Sequence, residues 1–231
     1  MSAGRGHEPA ILVRAGTWRD YQSLAGHHYR GGPPATRVRV LAAEVEGRGR
    51  VAGVLVVSMP TLNGRWRSAA WGGRYAPTGH GGKRLMARRL NAEVRTISRV
   101  IVHPRYRGLG VATRLVRAYL ANPLTRRTEA VAVMGAYAPF FERAGMRRVA
   151  VKRTSREARL GWRLRTLGVP AWRLMDVDWM VRTVARNAAL RRAVHAWARA
   201  GRATRSARSG RLLPALAGAA LTARPAVFVH G

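Results

Sequence analysis

Residues 100–116 read VIVHPRYRGLGVATRLV. An extended apolar run stops at His103-Pro104, passes through Gly108 and Gly110, and continues with apolar residues at helical spacing. A strand that runs through a glycine turn into a helix leaves several backbone N–H groups unpaired at one point. The helix dipole adds partial positive charge there. Such places bind phosphate. Gly108 and Gly110 let the backbone approach a pyrophosphate without a side chain in the way, and Arg105 and Arg107 add full charges. The spacing is neither a P-loop nor a full GxGxxG, so ATP or dinucleotide binding does not follow from it. A second cluster is HHYR at 27–30. A histidine there can exchange a proton near neutral pH, or it simply closes a polar helix end. No histidine has acidic partners at ligand spacing, so no metal site is expected. The chain has no cysteine, which excludes disulfides, thiolate metal sites and cysteine nucleophiles.

The elements around these residues follow from pattern. Thr17, with Asp20 three residues on, opens a helix to about Ala25 with an imperfect capping box, and GHHYRGGPP closes it as a loop. TRVRVLAAEV (36–45) and VAGVLVVSM (51–59) form a hairpin around EGRGR. Residues 60–82 are irregular, a length at which loops are functional or mobile. KRLMARRLNA (83–92) is a short helix, VRTISRVIV (94–102) a strand, and the helix after Gly110 sets Leu115, Val116, Tyr119 and Leu120 on one side. EAVAVM (129–134) and MRRVAVK (146–152) are strands separated by a short helix, APFFERAG (138–145). Residues 1–16 read as a flexible lead-in, without an apolar signal region, and no apolar run reaches the length of a membrane span. A soluble, cytoplasmic protein is the expectation.

Beyond about residue 154 the chain becomes helical and rich in arginine. Val177, Val181, Val184 and Ala188 fall at helical spacing, as do Leu190, Val194 and Trp197. Residues 224–231 read as a short strand returning to the core sheet, so the basic helices of 154–223 are a C-terminal extension or an insertion. Over its 231 residues the chain carries 43 Lys+Arg against 10 acids, a formal charge of +33, and only Lys83 and Lys152 are lysine. Such a chain repels itself unless polyanions or salt screen it. DNA or RNA is the first partner class this suggests, and an anionic membrane the second.

The 100–116 segment resembles motif A of the GNAT superfamily, the acetyl-CoA-dependent N-acyltransferases. That signature, Q/R-x-x-G-x-G/A after a strand ending V-x-P, reads here Arg105-Tyr106-Arg107-Gly108-Leu109-Gly110 after Val102-His103-Pro104. YAPFFERAGMRRV (137–149) resembles motif B, an L-Y-E-K-x-G-F pattern. The likeness spans about 17–153. It implies a GNAT acyltransferase fold, an α/β protein with an α+β mixed sheet, that uses acetyl-CoA or another acyl-CoA. By that resemblance the backbone from Arg105 through Gly108, Leu109 and Gly110 holds the CoA pyrophosphate. The strand end at Val100 to Val102 pairs with the pantetheine arm, at a splay from EAVAVM. Thr113 either touches a phosphate or faces solvent.

The resemblance also implies a tyrosine on the motif B helix to protonate the leaving thiolate. The matching residue is Phe141, which cannot do so. Tyr137, four residues earlier, is the substitute on the same helical face if the helix begins early enough; otherwise it is a cap or core residue. Glu93 stands near the family's occasional glutamate base, although neighbouring arginines would depress its pKa. The first helix of the fold borders the acceptor site, which makes His28 a third candidate. HHYR with NAEVRTISR is similar, more loosely, to phage Mom-type DNA-modifying members and to the acetyltransferase-like domain fused to some ABC-type ATPases. That likeness implicates Tyr29, Arg95, Ser98 and Arg99 in the acceptor site. Trp66, Trp71 and Tyr75 in the 60–82 loop would then stack on a base or cover the end of the sheet. The reading is an N-acyltransferase acting on an amine, with Mom-type base modification or a non-catalytic nucleic-acid-binding module on the same scaffold as alternatives.

Overall fold

The computed structural model describes residues 10–28, 32–47, 49–79, 81–151, 153–201, 204, 212–222 and 225–231. Two compact units emerge, Met1–Val151 with Pro225–Gly231, and Lys152–Arg224.

The first unit is built on β1 (Ile11–Ala15), α1 (Trp18–Leu24), β2 (Arg39–Val45), β3 (Arg50–Ser58), α2 (Trp66–Trp71), α3 (Gly82–Glu93), β4 (Val94–Val102), α4 (Val111–Ala121), β5 (Arg127–Ala132), α5 (Phe140–Arg143) and β6 (Arg147–Val149). After the second unit the chain adds a last strand, Ala226–His230. That strand is β7 once the helices of the second unit are numbered α6 (Ser155–Thr166), α7 (Val177–Arg186), α8 (Ala188–Arg199) and α9 (Leu212–Thr222). The sheet has the order β1-β2-β3-β4-β5-β7-β6. Only β4 and β5 are parallel; the other neighbours are antiparallel. The fold is the mixed α/β sheet with helices that motif A implied.

β3 reads as a continuous apolar run because helices cover both its faces. On one face α4 buries Val111, Leu115, Val116 and Tyr119 against Leu55, Val57 and Ile97. On the other, α1 buries Tyr21 and Leu24 against Ala42, Val54, Val56 and Ile101. Gly53 makes the first contact possible. A Cβ there would come within 2.8 Å of Val111 Cγ1 and 3.0 Å of the Ile101 carbonyl, so a side chain on β3 would push α4 off the sheet. α1 is capped in both directions: the Thr17 hydroxyl accepts from the Asp20 N–H, and the Asp20 carboxylate accepts from the Thr17 N–H at 2.7 Å. The capping box is therefore complete with aspartate.

Residues 11–15 differ from the flexible lead-in expected of them. They form β1 and pair with β2 from Ile11–Val45 to Ala15–Leu41. Residues 1–9 of that lead-in lie outside the described residues. β7 lies between β5 and β6, with Phe228 opposite Ala130 on one side and Arg148 on the other. Phe228 is fully buried and stacks on Phe141 at 4.9 Å.

The second unit has its own core. Leu160 and Leu164 of α6, Met180 and Val184 of α7, Leu190, Val194 and Trp197 of α8, and Ala217 and Leu221 of α9 pack together. Thr154 with Glu157, Asp176 and Asn187 cap α6, α7 and α8. Val177, which fits the helical stripe by spacing, is exposed, and Met180 takes the buried position. Among the described residues no helix is long and apolar enough to cross a membrane.

Candidate functional site

The parallel ladder between β4 and β5 ends at Ile97–Ala130, although β4 runs on to Val102 and β5 to Ala132. Beyond that point β5 keeps its partner β7, through Val131–Val227 and Ala132–Ala226. The β4 edge facing it is left without a strand, as the resemblance implied. A cleft of about 510 Å³ occupies the gap, within the range of small-molecule sites. N–H and C=O groups on such an edge can pair with any extended amide chain.

A bulge prepares this opening. Arg99 faces Val56 while Ile97 faces Val57, so Ser98 is the extra residue on β4. The bulge changes which face successive side chains take. Ile97, Val100 and Val102 all pack on the α4 side, whereas Ile101 packs on the α1 side with Val54 and Val56. Arg99, paired with Val56, shares that second face. The Ser98 hydroxyl lies 2.6 Å from the Ser58 hydroxyl and donates to the Val56 carbonyl at 3.1 Å. The bulge has a sequence signal that pattern reading passed over: in VRTISRVIV the core-side apolar residues step from 97 to 100, three positions rather than two.

At the other end of the cleft the chain turns into α4. His103 Nδ1 accepts the Arg105 N–H at 3.2 Å and starts the turn. Gly108 has φ +86° and Gly110 φ +72°, a region that favours glycine. A Cβ at either would meet no heavy atom within 4 Å, so the space beside them is open. Gly110 is the N-cap of α4 and supplies no side-chain cap. The first N–H groups of the helix therefore have no intrahelical partners, and Val111, Ala112 and Thr113, which carry them, line the cleft. Gly108, Gly110, Arg107, Thr113, Val100 and Val102 line the cleft together. Leu109 instead packs against the core, and Arg105 is exposed outside the lining.

His27, His28, Ser98 and Arg99 line the same cleft. The ring of His27 meets His103 edge-on at 5.2 Å. Arg99 is 8% exposed. Its Nη1 donates to the Ser98 carbonyl at 2.8 Å and its Nη2 to the Gly32 carbonyl at 3.4 Å. Tyr29 lies outside the described residues.

Other sequence candidates stand elsewhere. Arg95 precedes the bulge, outside the cleft lining, and donates to the carbonyls of Asn91 and Val94 at 2.6 and 2.8 Å. Glu93 ends α3 and is also outside the lining. Arg74 Nε at 2.7 Å, the Tyr75 hydroxyl at 2.8 Å and Arg127 Nη1 at 2.9 Å all donate to it. The Arg74 hydrogen bonds lower its carboxyl pKa most, burial opposes them, and Tyr75 and the Arg74 and Arg127 charges bring it to about 2 from 4.5. A carboxylate held so acidic is a poor base, and its partners make it a structural anchor. Tyr137 is 81% exposed and lies in the turn before α5, not on the helix. It is absent from the cleft lining, because α5 starts only at Phe140, after Pro139. Phe141 does line the cleft, with its ring buried. The loop aromatics are built into the fold. Trp66 Nε1 donates to Glu129 at 2.8 Å, Trp71 Nε1 to the Gly231 carbonyl at 2.7 Å, and Tyr75 is buried.

The model of the acetyltransferase (GNAT) family matches residues 16–146. Solved structures similar to this chain include the apo form of a mutant agmatine N-acetyltransferase, at 16% identity and TM-score 0.40 over 62% of this chain and 86% of that one. A Drosophila melanogaster polyamine N-acetyltransferase, which forms N-acetylagmatine, is similar at 16% identity and TM-score 0.39 over 62% and 86%. A mosquito arylalkylamine N-acetyltransferase-like protein is similar at 14% identity and TM-score 0.37 over 61% and 85%. No curated protein sequence matches the chain significantly. The family match runs from just before the N-cap of α1 through motif A and most of the motif B segment, past the end of α5, and covers more than half of the sequence, and the chain accordingly belongs to the acetyltransferase (GNAT) family.

Proposed function

We propose that the protein is an N-acyltransferase that moves an acyl group, acetyl in the simplest case, from acyl-CoA to an amine. The observation that carries this is the opening of β4 from β5 beyond Ile97, which joins an unpaired strand edge to the uncapped start of α4 in one cleft. The residues present fit CoA. Arg107 and the backbone at Gly108, Gly110 and the first turn of α4 would hold the pyrophosphate, and the β4 edge from Val100 to Val102 would hold the pantetheine amides. CoA supplies a thioester, whose carbonyl carbon is open to attack by an amine.

Three tasks remain for the chain: to take a proton from the amine, to stabilise charge on the carbonyl oxygen, and to see the sulfur leave. N–H groups that face the cleft at the bulge, where β4 has lost β5, serve the oxygen. His28 serves as the base, with His27 beside it. The C–N bond forms as the C–S bond breaks, and the proton taken from nitrogen returns through the same imidazole to sulfur. This route needs no tyrosine on α5, which agrees with Phe141 there and with Tyr137 outside the cleft lining.

The assay follows thiol release from acetyl-CoA with a panel of amines. His28→Ala is expected to lower kcat about 10²–10⁴-fold, the usual worth of a positioned base, while CoA still raises the melting temperature. If kcat is unchanged in His28→Ala and falls in His27→Ala, the base is His27. If it is unchanged in both, neither His27 nor His28 is the base. The formal charge of +33 supports association with DNA or RNA, so nucleic acid belongs in the panel. Digestion to nucleosides would then reveal an acylated base by mass.

A further inference from the structure

Among its described residues the first unit buries two arginines, Arg67 and Arg99, and it treats them differently. Arg67 is 2% exposed and meets Glu129 twice, Nε to Oε2 at 2.9 Å and Nη2 to Oε1 at 2.6 Å. Arg99 is 8% exposed, and among the described residues no carboxylate pairs with it. Two backbone carbonyls accept from its terminal nitrogens, and its buried Nε has no acceptor. A guanidinium stays charged at any physiological pH, and a buried charge without a counter-ion is unfavourable. Arg99 also lines the cleft.

Its position separates it from the phosphate cradle. Arg99 precedes the end of β4 by three residues, about 10 Å of strand, and the cradle begins only after that end. Its side chain shares the α1 face with Val56 and Ile101, while Val100 and Val102 take the α4 face. It stands beside the bulge with His27 and His28, where the acceptor must meet the thioester.

We infer that Arg99 is a subsite for an anionic group on the acceptor, so that the amine acylated here belongs to a molecule that also carries a carboxylate or a phosphate. This rests on the acyltransferase reading above and narrows its substrate class. The guanidinium suits either anion, since carboxylate and phosphate both accept two N–H groups from its fork, and such a partner would offset the charge that the fold leaves without a counter-ion. The excess of positive charge over the whole chain draws such substrates in and turns bare polyamines away.

The test measures kcat/KM for thiol release from acetyl-CoA with the standard amino acids and O-phosphoethanolamine. Each is set beside its counterpart without the anion: agmatine for arginine, phenethylamine for phenylalanine, ethanolamine for phosphoethanolamine. The anionic member of the productive pair should be preferred by about 10²-fold or more, the scale of a buried charge pair. Whether an amino acid or phosphoethanolamine is productive tells carboxylate from phosphate. Arg99→Gln should bring that preference down to a few-fold and leave the CoA-induced rise in melting temperature as it is. Arg99→Met, without any ligand, should melt at the same temperature as the native protein or higher, because it removes a buried charge that has no acidic partner. A lower melting temperature with unchanged selectivity would make Arg99 structural. Equal use of both members, preference for the member without the anion, or no turnover of any anionic amine by protein that binds acetyl-CoA would overturn the assignment of Arg99. Failure to bind acetyl-CoA at all would overturn the acyltransferase reading beneath it.

Discussion

Replacing Gly110 by aspartate sets a negative charge where the cleft should hold phosphate. Gly110 has φ +72° and caps α4. A residue with a Cβ pays about 1–2 kcal/mol in that conformation, and aspartate is among the residues that tolerate it best. No heavy atom lies within 4 Å of the added Cβ, so the fold should lose only that strain, about 2–8 °C of melting temperature for a chain of this size. The effect on CoA is larger. At about 4 Å and an effective dielectric near 20, each pair of like charges costs about 4 kcal/mol, roughly 10³-fold in affinity. Calorimetric melting at rising CoA separates the two effects. With CoA at 100 times its Kd, the native protein should gain about 2.7 kcal/mol, or about 5–10 °C. Gly110→Asp should gain almost nothing at the same concentration, and Gly110→Asn, with the same bulk and strain but no charge, should keep more of the shift. Added salt should narrow the gap between the two variants. If CoA stabilises Gly110→Asp as much as the native protein, the phosphates are not held at the start of α4.

Two further outcomes test the fold around the site. Glu93→Gln should destabilise the protein by about 1–2 kcal/mol at neutral pH, after allowance for solvent screening; because the folded-state carboxyl titrates at about 2, below its ordinary 4.5, this contribution is present above the ordinary value and is lost as pH falls towards 2, so acid melting curves of variant and native protein should converge. Phe228→Ala should cost about 3–5 kcal/mol, seen as a fall in melting temperature on the order of 10 °C, since the ring is fully buried between β5 and β6 and stacks on Phe141.

Much of the glycine-turn end of the cleft is local and was legible in the sequence. His103-Pro104, the two glycines and the apolar spacing of 111–119 each act within a few residues of themselves, so strand, turn and helix could be read without the rest of the chain. Motif A carried the family, and the charge was there to count. The end of α5 nearest Tyr137 was legible too: Pro139 marks where the helix can begin, and reading the helix from residue 138 drew Tyr137 too close to it. What depends on partners far along the chain was not legible. The pairing of β1 with β2, the position of β7 between β5 and β6, and the gathering of Arg74, Tyr75 and Arg127 around Glu93 join segments that no local pattern connects. Ser98 and Arg99 show the division within one strand. Their types and order stand in the sequence, but a single extra residue in the register reverses the face of every side chain after it. Only the pairing of β4 with β3 decides that Val100 and Val102 turn to the α4 side while Arg99 turns to the α1 face, in the cleft that His27 and His28 also line.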